Sequence, residues 1–120
     1  MSRLDGELIE LCPLSSLEET GARGIVIGSG LAQRRYIVVR AGEKIRCYIN
    51  QCPHQGTPLD TFPNKFLDDS GKLLVCSTHG ARFRVADGFC VAGPCKGERL
   101  GECQVEIKNG KVYLRCSAEY

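Results

Sequence analysis

Two short stretches hold the residues best suited to chemistry, Cys52-Pro53-His54 and Cys76-Ser77-Thr78-His79. Between them they contain both histidines of the 120-residue chain, each within three positions of a cysteine. Two thiolates and two imidazoles are a complete ligand set for one metal centre. A structural zinc tetrahedron can use the same atoms, but its usual pairs are Cys-x2–4-Cys and His-x3–5-His. Here each pair mixes the two ligand types, as Cys-x-His and Cys-x2-His, which fits zinc poorly. The spacing favours a diiron centre in which two thiolates hold one iron and two imidazoles the other. With both histidines used in this way, none remains as a base beside a nucleophilic Cys or Ser. None remains either to share a mononuclear catalytic iron with a carboxylate.

The elements that must position these ligands read as short β segments between turn residues. Glu7–Cys12, Gly24–Gly28, Arg35–Arg40 and Glu43–Asn50 are expected strands, with Ser15–Thr20 a single helical turn and Gly28-Ser29-Gly30 a plain turn. That turn lacks the further glycines and lysine of a phosphate loop. Along Glu43–Asn50 the alternation places Ile45, Cys47 and Ile49 on one face and Lys44, Arg46 and Tyr48 on the other. Leu73-Leu74-Val75 leads into the second ligand pair. Arg82–Val85 and Phe89–Val91 flank an Ala86-Asp87-Gly88 turn, while Glu102–Lys108 and Lys111–Cys116 flank Asn109-Gly110, a strong hairpin signal. In that hairpin Cys103, Val105 and Ile107 share a face, as do Val112, Leu114 and Cys116. The expected fold is all-β, one domain over 1–120: a small antiparallel sandwich or barrel with an inserted metal-binding subdomain at about 47–88.

A hydrophobic fraction of 42% and a charged fraction of 25% are those of an ordinary soluble globular domain. No run of 18 apolar residues is present, so no membrane span is expected. Met1–Leu11 carries Asp5, Glu7 and Glu10 rather than a basic and then apolar leader, which points to the cytoplasm. Residues 1–20 hold five acids against Arg3, and residues 21–50 six bases against Glu43. Without a lysine-rich block or aromatic interleaving this gives no support to nucleic-acid binding. Eight cysteines would suit a secreted disulfide scaffold, but in a reducing compartment free thiols and metal ligation are the better reading. Cys12, Cys47, Cys103 and Cys116 are expected to pack as small hydrophobes. Cys90 and Cys95, the latter in a Gly93-Pro94-Cys95 loop, suit packing better than redox chemistry.

These motifs resemble those of the Rieske iron–sulfur family, strongly over residues 45–115 and more weakly over nearly the whole chain. Beyond the ligand pairs, His79-Gly80-Ala81-Arg82-Phe83 is similar to the family's second loop. Gly88-Phe89-Cys90-Val91-Ala92-Gly93-Pro94 resembles the strand and proline loop that cover the cluster. The resemblance implies a single [2Fe-2S] cluster with Cys52 and Cys76 on the inner iron and His54 and His79 on the outer. The interval between His54 and Cys76 is a few residues longer than in many relatives, which makes Thr61–Lys72, with its Asp68-Asp69-Ser70-Gly71 turn, the expected insertion.

High-potential members carry an extra cysteine in each ligand loop and donate serine and tyrosine hydroxyls toward the cluster. The matching positions here are Thr57, Thr78, Ala81 and Phe83, so the resemblance implies the low-potential branch and a potential near about −150 mV. By the same resemblance the chain is a non-enzymatic one-electron carrier, taking electrons from a reductase and giving them to an oxygenase or another oxidoreductase. It implies redox-protein partners and no small-molecule substrate. The alternatives are a small subunit of a larger, nitrite-reductase-like complex, a redox sensor, or a structural zinc protein.

Overall fold

The computed structural model describes residues 8–17, 21–28, 33–41, 44–51, 59, 66–68, 71–76 and 80–115. Among these residues the regular elements are antiparallel strands in three sheets, in agreement with the all-β expectation. The first sheet joins β1 (Leu8–Pro13), β10 (Lys111–Arg115) and β9 (Val105–Lys108), in the order β1-β10-β9. The second runs β2 (Ala22–Ile27), β3 (Arg34–Ala41), β4 (Lys44–Ile49) and β8 (Glu102–Cys103), in that order. The third is a meander of β5 (Leu73–Val75), β6 (Arg82–Arg84) and β7 (Cys90–Ala92). Between β9 and β10, Asn109 and Gly110 both have positive φ (52° and 75°), the geometry of a type I′ turn. Between β1 and β2, the Leu17 amide donates to the Leu14 carbonyl and the Gly21 amide to the Leu17 carbonyl, so a helical turn starts where Ser15–Thr20 foretold one.

The middle sheet divides the interior into two cores. Successive residues of a strand face opposite ways. On β3, Ile37 and Val39 join one core while Tyr36 and Val38 join the other. On β4, Tyr48 goes to the first and Cys47 to the second. The first core contains Leu74, Phe83 and Cys90 from the third sheet or its margins, with Leu59 and Phe66. The second contains Cys12, Val112 and Leu114 from the first sheet, with Leu17.

This two-sided burial corrects the reading of β4 as a half-exposed strand. Tyr48, expected on the polar face, is fully buried, while Ile49, expected inside, is 40% exposed. Tyrosine suits such a site because its ring fills the core while its hydroxyl donates to the Val85 carbonyl at 2.7 Å. The continuous strand expected over Glu102–Lys108 is divided at Gln104. Cys103 faces Cys47 on β4, whereas Val105 pairs with Leu114 on β10, so one extended stretch serves two sheets. Ile107, on the expected inner face, is 47% exposed. Of the expected insertion, Phe66–Asp68 packs onto the third sheet. Leu67 bridges Leu74, the Val75 amide donates to the Phe66 carbonyl, and Phe66 itself is buried.

Candidate metal centre

Of the four expected ligands, Cys76 lies among the described residues; Cys52, His54 and His79 lie outside them, as do Thr57, Thr78 and Cys116. Cys76 follows β5 directly and is fully buried. Its amide donates to the Ala81 carbonyl and its carbonyl accepts the Gly80 amide, both at 2.8 Å. These bonds tie Cys76 to Gly80 and Ala81, immediately before β6. Gly80 takes a φ of 75° there, with open space around its α-carbon, so backbone conformation and not crowding calls for glycine.

The other ligand segment is held at both ends. Asn50, just past β4, is buried, and its amide donates to the Arg35 carbonyl at 3.0 Å. Its side-chain oxygen accepts the Leu59 amide at 2.7 Å, so Asn50 and Leu59 bracket residues 52–58, which hold Cys52 and His54. Leu59 is fully buried in the same core as Cys76 and Ala81. One apolar cluster therefore anchors the end of one ligand segment and the start of the other. The sequence reading missed Asn50. Its one sequence signal is an amide side chain at the end of an apolar strand, immediately before a ligand segment.

A third segment leans on the second loop. Gly93 has a φ of 96°, and a β-carbon there would stand 2.6 Å from the Ala81 α-carbon, so only glycine permits this approach. Ala81 and Phe83 are fully buried, and neither carries a hydroxyl. Burial pushes the Tyr48 phenol up, keeping it a neutral donor to Val85. In the turn after β6, the Arg84 guanidinium and the Phe89 amide bind the Asp87 carboxylate and hold its pKa below the usual range. Among the described residues no group of three or more His, Cys, Asp or Glu side chains gathers elsewhere to hold a metal.

A family model described as "Rieske [2Fe-2S] domain" matches residues 8–116. The chain belongs to the Rieske [2Fe-2S] domain family. Rieske membership gives it one [2Fe-2S] cluster, and the donor set fits, since thiolate and imidazole are the ligands such a cluster takes. The surroundings of Cys76 fit as well, since Cys76 is fully buried and the Gly93 segment packs against Ala81 close by in the chain.

Among Rieske relatives, the chain is 31% identical over 77 residues to Ferredoxin CarAc of Metapseudomonas resinovorans. That match covers 64% of this chain and 66% of the relative, just under two thirds of its length. A solved complex of reduced oxygenase and oxidized ferredoxin in carbazole 1,9a-dioxygenase contains a chain of similar fold. Its TM-score is 0.71 at 25% identity, covering 94% of this chain and 96% of that one. The Sphingomonas yanoikuyae B1 ferredoxin shares the fold, with a TM-score of 0.69 at 21% identity over 92% of this chain and 99% of that one.

Proposed function

We propose that this protein is a soluble one-electron carrier of the cytoplasm, a Rieske-type ferredoxin, with Cys52 and Cys76 on the inner iron and His54 and His79 on the outer. When bound, the cluster supplies a single reversible one-electron step. Everything else falls to the chain. Cys76 is presented by a loop with two backbone hydrogen bonds, and Asn50 ties the ends of the segment that holds Cys52 and His54. Gly93 brings its segment against Ala81, and Cys76 itself is fully buried. These contacts support a ligand-bearing subdomain at about 47–88, with Leu59, Cys76 and Ala81 in the same core as Tyr48. The whole of 1–120 forms one Rieske domain in this reading.

The observation that carries the proposal is the convergence of Leu59, Cys76 and Ala81 in one buried cluster, within a family match running through 8–116. The acceptor we propose is a terminal oxygenase and the donor a reductase, supported by the oxygenase–ferredoxin complex among the similar structures. An enzymatic role finds no support in this sequence, whose two histidines are both committed to the cluster. Film voltammetry tests the carrier role. The expected result is one reversible one-electron wave near about −150 mV; an irreversible wave, or one above zero at neutral pH, contradicts it.

A further inference from the structure

Away from the ligand loops, two other cysteines meet where they can react. Cys47 on β4 and Cys103 on β8 stand directly opposite each other in the antiparallel ladder. Residues so opposed have α-carbons about 4.5–5.5 Å apart, inside the range of about 4.4–6.8 Å that a disulfide spans. Cys47 is fully buried, but Cys103 is only half-buried. Cys103 also lines a cleft of about 540 Å³, with Arg46, Arg115, Glu102 and Glu106 along its walls.

That cleft opens where the chain leaves β8 for β9 at Gln104, the break that gives one strand to two sheets. Its charged walls are internally paired, Arg46 with Glu102 at 3.3 Å and Arg115 with Glu106, so no uncompensated charge blocks access. Cys103 faces the cleft, where a small disulfide can reach it, whereas Cys47 is fully buried behind it, so Cys103 is the attacking sulfur and Cys47 the resolving one.

A second thiol pair supplies an internal comparison. Cys90 and Cys95 have their sulfurs 3.4 Å apart, closer than ordinary packing requires. Both are buried, however, and the Cys90 thiol also donates to the Ala92 carbonyl. Proximity is present there without an opening.

We propose that Cys103 and Cys47 form a thiol–disulfide exchange site for low-molecular-weight disulfides, Cys103 attacking and Cys47 resolving. The Cys103 thiolate forms a bond to one sulfur of the small disulfide, whose S–S bond breaks and releases the first thiolate. The Cys47 sulfur then attacks the Cys103 sulfur of this mixed disulfide, the Cys47–Cys103 bond forms, and the second small thiolate leaves. The protein thiols lose two electrons, the small disulfide gains them, and the two thiol protons pass to the departing thiolates. The product staples β8 to β4, five residues before Cys52.

The test treats the cluster-loaded full chain with oxidised glutathione, blocks remaining thiols by alkylation and analyses the unreduced digest by mass spectrometry. Expected are a Cys47–Cys103 bridged peptide in the unaltered protein, a glutathionyl adduct stalled at Cys103 in Cys47→Ala, and neither in Cys103→Ala. Modification at Cys103 should outpace that at Cys90 or Cys95 by at least about tenfold. A folded protein whose Cys103 stays unmodified, or which reacts first at Cys90 or Cys95, overturns the proposal. Should Cys47→Ala fail to fold, the bridged peptide in the unaltered protein, found or missing, decides the matter by itself. The readout at Cys103 is independent of the assignment of the cluster ligands.

Discussion

Ala81 and Phe83 show how much a missing hydroxyl can matter. Both are fully buried beside the loop that presents Cys76, so water cannot supply the donors they lack. A hydrogen bond to a charged group is worth roughly 1.5–3 kcal/mol, and about 1.4 kcal/mol corresponds to ~59 mV for one electron. The part of such a bond that strengthens on reduction is the part that raises the potential. Ala81→Ser is therefore expected to raise the reduction potential by up to about 60–130 mV, measured by voltammetry against the unaltered protein. An unchanged potential in a folded variant would place position 81 out of hydrogen-bonding reach of the cluster. Space is tight there, because a β-carbon on Gly93 would already stand 3.2 Å from the Ala81 side chain. Serine adds one oxygen to a site with little slack.

Among the elements, the short connections position the site more than the strands do. Asn50 holds the Leu59 amide at 2.7 Å in a buried setting, and cutting back the side chain removes that acceptor. Asn50→Ala should cost about 1–3 kcal/mol, read from the urea midpoint, with faster hydrogen exchange at the Leu59 amide. Unaltered exchange there would show that Asn50 does not clamp the first ligand segment. Much of the strand order was legible in the residues. Asn109-Gly110 announced its hairpin, Leu73-Leu74-Val75 its strand, and the alternation of Val112 and Leu114 their inward face. Tyr48 was misread because alternation assumes one wet face, while the middle sheet is covered on both. The change of sheet at Gln104 leaves no mark, since apolar–polar alternation continues through it. Phe66 was hidden in a stretch whose proline and Asp-Asp-Ser-Gly turn made it look like a bare insertion. For the site, the ligand pairs stood out by type and spacing. Asn50 and Gly93 did not, because a bracketing hydrogen bond and a close approach are contacts across the fold.

At the scale of the whole molecule, a middle sheet with a core on each side separates two jobs. The first sheet, β1-β10-β9, closes one core without any expected ligand, while the meander β5-β6-β7 closes the other and carries Cys76. Under the proposed assignment, four ligands joining two distant segments would couple cluster loading to the order of that meander, since binding free energy to a site absent in the unfolded chain becomes folding free energy. Cys76→Ser is expected to purify colourless, with hydrogen exchange accelerated in β5, β6 and β7 and little changed in β1, β9 and β10. Full visible absorbance in this variant would mean that Cys76 is not a ligand. The central claim, a diiron centre gripped jointly by Cys52, Cys76, His54 and His79, is tested most directly by electron paramagnetic resonance of the dithionite-reduced protein, with iron and sulfide assayed on the same sample. The account predicts two irons and two sulfides per chain and the signal of a mixed sulfur–nitrogen [2Fe-2S] centre. Stoichiometric zinc, or the signal of an all-cysteine cluster, would contradict it.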